Sequence, residues 1–333
     1  MKRKLNNILI TGGAGFIGSN FIHLLLSKKD FSGKVINFDK LTYAGDLKNL
    51  EGLPESATSR YHFVKGDIND EALFKQTLVD HDVDTIIHMA AESHVDRSIE
   101  SPLEFITTNV VGTYKVLQCA KEFWGDRKDV LFHHVSTDEV FGSLGDTGYF
   151  TETTSYDPRS PYSSSKASSD HFVRSYFHTY GLPVTISNCS NNYGPRQNRE
   201  KLIPLMITNI LEKKPLPVYG KGLNIRDWIF VDDHNEGILT IIKNGKVGET
   251  YNLGGNNEVR NIDMVEKLCD KVATKKGGGI ANAKELITYV PDRLGHDFRY
   301  AIDNTKAKSE LNWEPKESFD SGIDKTIDWY LTK

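Results

Sequence analysis

Short apolar runs alternate with helical patterns over roughly the first 190 residues of the chain. The apolar runs predict strands at residues 7–11, 35–39, 61–65, 85–89, 130–135 and 184–188. The helical patterns predict helices at residues 16–28, 102–124 and 162–180. Regular alternation of strands and helices is typical of an α/β fold with a doubly wound parallel sheet of the Rossmann type.

The alternation loosens after about residue 191. Further helices are predicted at residues 203–213, 233–243, 262–272 and 318–331, with short strands at 216–219 and 286–290. Gly277, Gly278 and Gly279 predict a flexible loop. We therefore expect a Rossmann domain over residues 1–190, completed by part of 225–255. A smaller C-terminal α/β lobe is expected over residues 191–333.

Composition limits the classes of partner. The chain has 333 residues, of which 38% are hydrophobic, which is enough for a substantial core. Its net charge of −4 gives no overall attraction for nucleic acid or an anionic membrane, so local groups must hold any anionic ligand. No stretch approaches the roughly 20 apolar residues of a membrane-spanning helix.

Cysteine and histidine spacing indicates neither disulfides nor a metal site. Cys119, Cys189 and Cys269 are too far apart for a zinc or disulfide framework, which favours a reducing cytoplasm. The basic start of the chain leads into an apolar run that is too short for a signal peptide. Four histidines in or near predicted strands have no metal spacing, and we interpret them as structural or supporting groups. They are His88, His94, His133 and His134.

A glycine-rich segment follows the first predicted strand and opens the first predicted helix. Gly12, Gly15 and Gly18 allow a tight turn, close approach to a pyrophosphate and close packing of helix on sheet. The phosphates would lie at the positive end of the helix. The spacing differs from G-x-G-x-x-G, and such a turn can serve packing alone, but its position between strand and helix favours a dinucleotide site.

Asp39 ends the second predicted strand, 21 residues after Gly18. A carboxylate at this point can bind the ribose hydroxyls of adenosine and repel a 2′-phosphate, so NAD is favoured over NADP. The alternative is an aspartate that caps a turn. Lys40 is the neighbouring group that weakens the preference for NAD. Asp67, after the third strand, can meet the adenine or hold a turn.

Two groups of reactive side chains follow the fifth strand. Thr137, Asp138 and Glu139 come where a parallel strand ends, which is where ligands bind in such sheets. Neighbouring carboxylates in one pocket separate their pKa values, so that one can act as an acid and the other as a base. An isolated Asp-Glu pair is more often a solvated turn.

Tyr162 and Lys166 stand four residues apart and share one face of a predicted helix. An ammonium beside a phenol favours the phenolate, which would let Tyr162 act as a base below its usual pKa of about 10. This spacing is also common on surface helices. Its occurrence soon after Asp138 and Glu139 favours an enzyme that oxidises an alcohol and eliminates water.

These residues resemble the extended short-chain dehydrogenase/reductase family over essentially the whole chain. Within that family the chain is similar to the dTDP-glucose 4,6-dehydratases. The motifs that carry the closer resemblance are AAESHVDRS at 90–98, TDEV at 137–140, SNNYGP at 190–195, EKLIP at 200–204, RDW at 226–228 and DRLGHD at 292–297. The chain departs from the expected pattern at Phe141, Leu294 and residues 196–199.

The resemblance implies an NAD-dependent dehydratase. Tyr162 would take the proton of the C4 hydroxyl of the sugar while hydride passes to NAD. Lys166 would lower the pKa of Tyr162 and hold the nicotinamide ribose. Glu139 would remove the C5 proton, and Asp138 would protonate the departing C6 hydroxyl. Thr137 and Ser93 would orient the hexose, and NAD would be regenerated and stay bound.

The resemblance also implies two sets of binding residues. The cofactor residues are Gly12, Gly15, Phe16, Ile17, Gly18, Asp39, Lys40, Leu41, Thr42, Asp67, Ile68, Ala90, Ala91, Ser93, Thr108, Tyr162, Lys166 and Asn192. The residues for the nucleotide sugar, dTDP-glucose, are Ser93, Thr137, Asn191, Lys201, Leu202, Pro217, Tyr219, Arg226, Asn261, Arg293 and His296. Lys201, Arg226 and Arg293 are candidates for the pyrophosphate on charge alone.

Two alternatives stay open. The first is a dehydratase or epimerase for another nucleotide sugar, although Asp138 and Glu139 argue against the epimerase. The second is a non-catalytic NAD-binding regulator, which would not need those carboxylates together with Tyr162 and Lys166. Apolar residues over wide arcs of the helices at 102–124 and 162–180 predict that these helices contact another partner, because one face can cover the sheet but the remainder cannot. The resemblance implies that this partner is a second copy, in a homodimer whose helices form a four-helix bundle.

Overall fold

The computed structural model describes residues 3–276 and 282–332. The predicted glycine loop at 277–279 lies outside these ranges. Among the described residues, no helix combines the length and apolar character needed to cross a bilayer.

The strands, in chain order, are β1 (Asn7–Thr11), β2 (Lys34–Asp39), β3 (Tyr61–Lys65), β4 (Thr85–His88), β5 (Leu131–Thr137), β6 (Val184–Cys189), β7 (Asn191–Tyr193), β8 (Leu216–Tyr219), β9 (Ile225–Phe230), β10 (Thr250–Leu253), β11 (Glu258–Arg260) and β12 (Ile287–Val290).

The α-helices are α1 (Phe16–Ser27), α2 (Glu71–Asp80), α3 (Val95–Glu100), α4 (Pro102–Phe105), α5 (Thr113–Trp124), α6 (Pro161–Tyr180), α7 (Leu202–Glu212), α8 (Val231–Asn244), α9 (Asn261–Lys275), α10 (Thr305–Leu311) and α11 (Phe319–Leu331).

A seven-stranded parallel sheet forms the centre of the molecule, with the strand order β10-β6-β5-β4-β1-β2-β3. After β1 the chain adds β2 and β3 toward one edge of the sheet. It then crosses back and adds β4, β5 and β6 toward the other edge. The point where the order reverses, between β1 and β4, opens a crevice at the carboxyl ends of the strands. The predicted doubly wound α/β sheet is confirmed.

Helices cover both faces of this sheet. Helices α1 and α8 pack on one face, where Ile8, Phe21 and Ile238 belong to one buried cluster. Helices α2, α5 and α6 cover the other, where Leu9 and Val116 belong to a second cluster. Burial on both faces explains the unbroken apolar runs in β1 and β4, because a parallel strand covered twice has no solvent face.

A third buried cluster lies in the C-terminal lobe, among α7, α9, α11 and β9. Two small sheets belong to the lobe: β11-β9-β7 and the parallel pair β12-β8. The central sheet also takes β10, which pairs with β6. The division into domains at residue 190 stays a prediction.

The predicted helix at 102–124 is wrong as a single α-helix. It consists of α4, a π-helical segment (Ile106–Gly112) and α5. The wider π turn lies where the buried Asn109 side chain bonds the backbone of Glu92 and the hydroxyl of Ser165. The pattern also missed α2, α3, α10 and the strands β7, β9, β10 and β11. The strands β7, β10 and β11 have only three or four residues, which is too short to show an alternation of apolar and polar positions.

Candidate active site

A cleft of about 340 Å³ opens at the carboxyl ends of the central strands, beside the glycine turn. All the predicted catalytic residues and most of the predicted binding residues line it. They are Gly12, Gly15, Phe16, Ile17, Gly18, Asp39, Lys40, Thr42, Asp67, Ile68, Ala90, Ala91, Ser93, Thr108, Thr137, Asp138, Glu139, Tyr162, Lys166, Asn191, Asn192 and Lys201.

The glycine turn leaves one wall of the cleft as bare backbone. Gly12 has φ of +72°, and a Cβ there would lie 2.9 Å from the backbone of Ala90. A Cβ on Gly18 would lie 2.3 Å from the carbonyl oxygen of Gly12. Helix α1 begins after Gly15 without a side-chain cap and without an acidic residue in its first turn. Its first N–H groups therefore favour an anionic group.

Asp39 holds the turn beyond β2 and also faces the cleft. Its carboxylate accepts hydrogen bonds from the backbone N–H of Ala14 at 2.9 Å and of Leu41 at 2.7 Å. The turn role considered from the sequence is therefore present. Leu41 itself, with φ of +57°, does not line the cleft and contributes only this N–H.

Lys40 is paired with Asp67, whose carboxylate lies 2.7 Å from the ammonium. Asp67 also accepts from the backbone N–H of Asn69, so it holds a turn as well as lining the cleft. The pairing offsets the positive charge of Lys40, which was the group that weakened the preference for NAD over NADP.

Tyr162 and Lys166 lie on α6, which begins with a capping box between Ser160 and Ser163. The Lys166 ammonium donates to the carbonyl of Val135 at 2.9 Å. Burial, followed by the charge of Glu139, raises the pKa of Tyr162 well above 10. The expectation that the pKa of Tyr162 lies below 10 is therefore wrong, because burial of the phenol dominates.

Asp138 and Glu139 open a 3₁₀ turn (Asp138–Phe141) directly after β5. Burial, with the charges of Glu139 and Asp227, raises the pKa of Asp138 well above its usual value. Burial also raises the pKa of Glu139, but Arg226, Lys201 and Arg293 oppose that rise. Burial thus raises the pKa of both carboxyl groups, and the three cations make Glu139 the more readily ionised of the two.

Four cleft-lining residues have a buried polar atom without a hydrogen-bond partner among the described residues. The atoms are Asp138 Oδ2, Asn191 Oδ1, Asn192 Oδ1 and Gln197 Oε1. Each belongs to a residue that lines the cleft. Buried polar atoms are normally paired, so these atoms fit a polar ligand in the cleft.

Seven predicted substrate residues do not line this cleft: Leu202, Pro217, Tyr219, Arg226, Asn261, Arg293 and His296. They belong to the lobe, where their contacts are with other lobe residues or with the start of α3. The guanidinium of Arg226 donates to the carbonyls of Ile225 and Asp297 and lies over the ring of Tyr300. The charges of Arg226 and Arg293 nevertheless act on Glu139, so the lobe cations border the reactive end of the cleft.

The remaining lobe residues are positioned by local contacts. Tyr219 donates to Asp96 at 3.2 Å, and its ring meets that of His296 edge to face. His296 Nδ1 lies 2.6 Å from Asp292. The Oδ1 atom of Asn261 is buried without a partner among the described residues.

Sequence reasoning missed three buried groups beside the predicted catalytic residues. Cys189 lines the cleft at the end of β6, and burial raises its pKa to about 12, so it is a neutral thiol. Asn109 fixes the backbone of Glu92 from the π segment. Asp170 lies four residues after Lys166 on α6. That spacing was the one signal in the sequence that could have found it.

The profile of the GDP-mannose 4,6 dehydratase family matches residues 9–326. The chain belongs to this family. Among its relatives, the dTDP-glucose 4,6-dehydratase of Xanthomonas campestris pv. campestris (strain B100) is 54% identical over 97% of this chain and 93% of that protein. The dTDP-glucose 4,6-dehydratase of Neisseria meningitidis serogroup B is 52% identical over 98% of this chain and 94% of that protein.

Solved structures of this family and of epimerases share the fold. The dTDP-glucose 4,6-dehydratase DesIV from Streptomyces venezuelae, with NAD and dTDP bound, matches with a TM-score of 0.89 and 45% identity. The match covers 98% of this chain and 97% of that one. A UDP-glucose 4-epimerase from Thermotoga maritima matches with a TM-score of 0.85, 27% identity and coverage of 98% and 99%. The family resemblance stated from the sequence is confirmed.

Proposed function

We propose that this protein is a dTDP-glucose 4,6-dehydratase that converts dTDP-glucose to dTDP-4-keto-6-deoxyglucose and water, with NAD bound and recycled. One observation carries the proposal: Asp138 and Glu139 share a cleft with Tyr162, Lys166 and the glycine turn. The epimerase neighbours show that the fold alone does not select dehydration. The pair of carboxyl groups with separated pKa values is what elimination of water requires.

The cofactor end of the cleft fits NAD. The uncapped start of α1 suits a pyrophosphate, and the buried carboxylate of Asp39 suits ribose hydroxyls and disfavours a 2′-phosphate. When bound, NAD would supply the hydride acceptor for C4 of the sugar and, once reduced, the hydride donor for C6. Tyr162 and Lys166 line the same cleft, so they would hold the nicotinamide end of the cofactor next to the hexose.

Tyr162 receives the proton of the C4 hydroxyl. Burial raises its pKa, so it needs a nearby positive charge to act as a base. Thr137, whose hydrogen bond lowers the pKa of Tyr162, supports the same change. Lys166 holds the ribose next to Tyr162 and adds a fixed positive charge to this end of the cleft.

Elimination follows once C4 is a ketone, because the ketone acidifies the C5 proton. Glu139 takes that proton, since Arg226, Lys201 and Arg293 favour its ionised form. Asp138, buried and protonated, gives its proton to the departing C6 hydroxyl. The two carboxyl groups thus act as the base and acid of one elimination.

The nucleotide sugar is held by groups on both sides of the reactive end. Lys201 donates to the carbonyl of Ser93, which places its ammonium against the cleft wall. With Arg226 and Arg293 it forms a positive border that suits a pyrophosphate. Ser93 and Thr137 face the cleft as hydroxyl groups for the hexose.

The proposal is tested by incubating the purified protein with dTDP-glucose and measuring the mass of the product. Loss of one water without added cofactor, together with NAD released on denaturation, is the expected result. A mass that stays unchanged while the sugar changes configuration would indicate an epimerase. Parallel incubations with UDP-glucose and GDP-mannose test the nucleotide, and preference for either would replace dTDP-glucose in the proposal.

We also propose a homodimer in which the helices α4 to α6 of two copies meet. Apolar side chains are exposed along this surface, with Leu103 71% and Tyr180 52% accessible, and the ring of Tyr114 lies tilted beside that of Phe172. A patch of this kind is typical of an interface. A monomeric mass by light scattering at micromolar concentration would contradict the dimer.

A cytoplasmic location is proposed because the three cysteines are buried and free.

A further inference from the structure

A buried polar network lies beneath Lys166, on the side away from the cleft opening. At its centre is Asp170, which is completely inaccessible to solvent. Its Oδ2 atom accepts hydrogen bonds from Ser136 and from Tyr156, each at 2.8 Å. Its Oδ1 atom lies 3.2 Å from Nε2 of His134. The same Nε2 lies 3.4 Å from the Lys166 ammonium.

The two oxygens of Asp170 therefore have different surroundings. Both neutral hydroxyl donors bond Oδ2. Oδ1 faces the imidazole of His134 and has no other hydrogen-bond partner among the described residues. A carboxylate that served only to satisfy hydroxyl groups would not need a free oxygen facing an imidazole and a lysine. The asymmetry of these contacts points to Lys166.

The charges around Lys166 support this interpretation. The titratable groups that face it are His88 from β4, His134 from β5, Cys189 from β6, Tyr162 and Asp170 from α6, and Asp138 and Glu139 from the turn after β5. Burial keeps both histidines neutral, with the pKa of His134 lowered to about 4, and it keeps Cys189 a neutral thiol.

Asp170 is the group beneath Lys166 that carries a negative charge. Burial acts to raise its pKa, but contact with His134 and the charge of Lys166 outweigh burial and lower it. Lys166 is affected in the opposite way: burial lowers its pKa, and Asp170 acts to raise it. An ammonium buried without a counter-ion would lose its proton, so the carboxylate preserves the charge on Lys166.

We propose that Asp170 is a positioning residue for Lys166. Its negative charge, beside the neutral His134 imidazole, balances the buried ammonium and so keeps Lys166 charged and fixed at the cleft wall. The inference rests on the proposed function, because Lys166 is given its role in the reaction there. It adds to that function a buried carboxylate that touches neither substrate nor cofactor.

The first test is a double-mutant cycle in thermal stability, which needs no substrate. Asp170→Asn leaves the Lys166 charge uncompensated, so it should lower the unfolding temperature much more in the wild-type background than beside Lys166→Met. If Asp170→Asn alone does not fold, recovery of folding by the double variant is the supporting result. Additive losses, or equal failure to fold in both backgrounds, would overturn the proposal.

The second test reads the charge of Lys166 through its pH dependence. In a Glu139→Gln background, elimination is blocked and formation of reduced cofactor with dTDP-glucose is followed by absorbance. Adding Asp170→Asn should move the loss of this signal at high pH downward by about one unit or more. The affinity for NAD, measured by calorimetry over the same pH range, should fall at the same point.

Tyr156→Phe is the matched control. It removes a hydrogen bond to the same carboxylate but leaves the negative charge of Asp170. The absorbance of the reduced cofactor should therefore be lost at the same high pH as before. Equal shifts for Asp170→Asn and Tyr156→Phe, or no shift for either, would make Asp170 a packing residue only. Absence of any reaction in the wild-type protein would instead contradict the proposed function, and the stability cycle would still decide the role of Asp170.

Discussion

Arg293 and Asp96 form a two-pronged ion pair across 197 residues of sequence. Nε of Arg293 lies 2.6 Å from Oδ1 of Asp96, and Nη2 lies 2.9 Å from Oδ2. Tyr219 donates to the same carboxylate and lies under the guanidinium. The pair joins the start of α3 to the C-terminal lobe and fixes the direction of a cation that acts on Glu139.

Breaking this pair should weaken binding of the nucleotide sugar more than it slows the reaction. Asp96→Asn keeps the shape but loses the charge that orients Arg293, so KM for dTDP-glucose should rise about tenfold while kcat changes less. Steady-state kinetics measure both. The matched control is Asp129→Asn, which breaks the exposed pair with Arg127. Equal effects of the two substitutions would show that Asp96 has no special role.

Asp39→Ala should weaken NAD binding and relax discrimination against NADP, because the ribose acceptor and the repulsive charge are lost together. Loss of a charged hydrogen bond costs on the order of 1.5–3 kcal/mol, or roughly ten- to a hundredfold in affinity. Calorimetry with both cofactors measures this. Since Asp39 also bonds the backbone of Ala14 and Leu41, the unfolding temperature is the control. Lower stability with unchanged NAD affinity would leave Asp39 only its turn role.

Glu139→Gln should separate oxidation from elimination. The amide keeps the shape but cannot take the C5 proton, while Tyr162 and Lys166 remain. With dTDP-glucose the variant should accumulate enzyme-bound reduced cofactor, visible by its absorbance, and water loss should fall by the ~10²–10⁴-fold typical of a lost general base. Tyr162→Phe is the control, since it should form little reduced cofactor. Water loss at the wild-type rate would mean that Glu139 is not the base.

Removing Lys201 should move the acid limb of the pH profile upward. Glu139 must be ionised to act, so kcat falls as the pH drops through its pKa. Burial raises this pKa, and Lys201 is one of three cations that lower it. In Lys201→Met the pKa should therefore rise by up to about one unit, measured as kcat against pH. Lys213→Met, at the other end of α7, should leave the profile unchanged. A downward shift in Lys201→Met would contradict this electrostatic account.

A charge on the exposed apolar face should divide the dimer. Phe172 lies on α6 beside Tyr114 of α5 and is 39% accessible in one chain. Phe172→Glu would bury a carboxylate in an apolar interface, so the mass by light scattering at micromolar concentration should halve. Val79→Glu, at an exposed position of α2, is the control and should leave the mass unchanged. A dimeric Phe172→Glu variant would place the interface elsewhere.

The sequence by itself determined the features that a short stretch of chain contains. β1, the glycine turn and α1 are continuous, so the apolar run, the glycine spacing and their order were enough to predict a phosphate-binding end. Asp138 and Glu139 are neighbours at the end of β5, and Tyr162 and Lys166 share one turn of α6. In each case the groups lie within one short stretch of chain, and the helical spacing puts Tyr162 and Lys166 on one face of α6.

Tertiary structure decided which of these groups meet and in what state they are. Asp96 reaches Arg293, β10 completes the central sheet beside β6, and Asp170 reaches His134 only after the chain has folded. The pKa of Tyr162 rises, against expectation, because burial of the phenol dominates. Burial and long-range contacts are sums over neighbours distant in sequence. No local pattern contains them, and they set the charges on which the proposed chemistry depends.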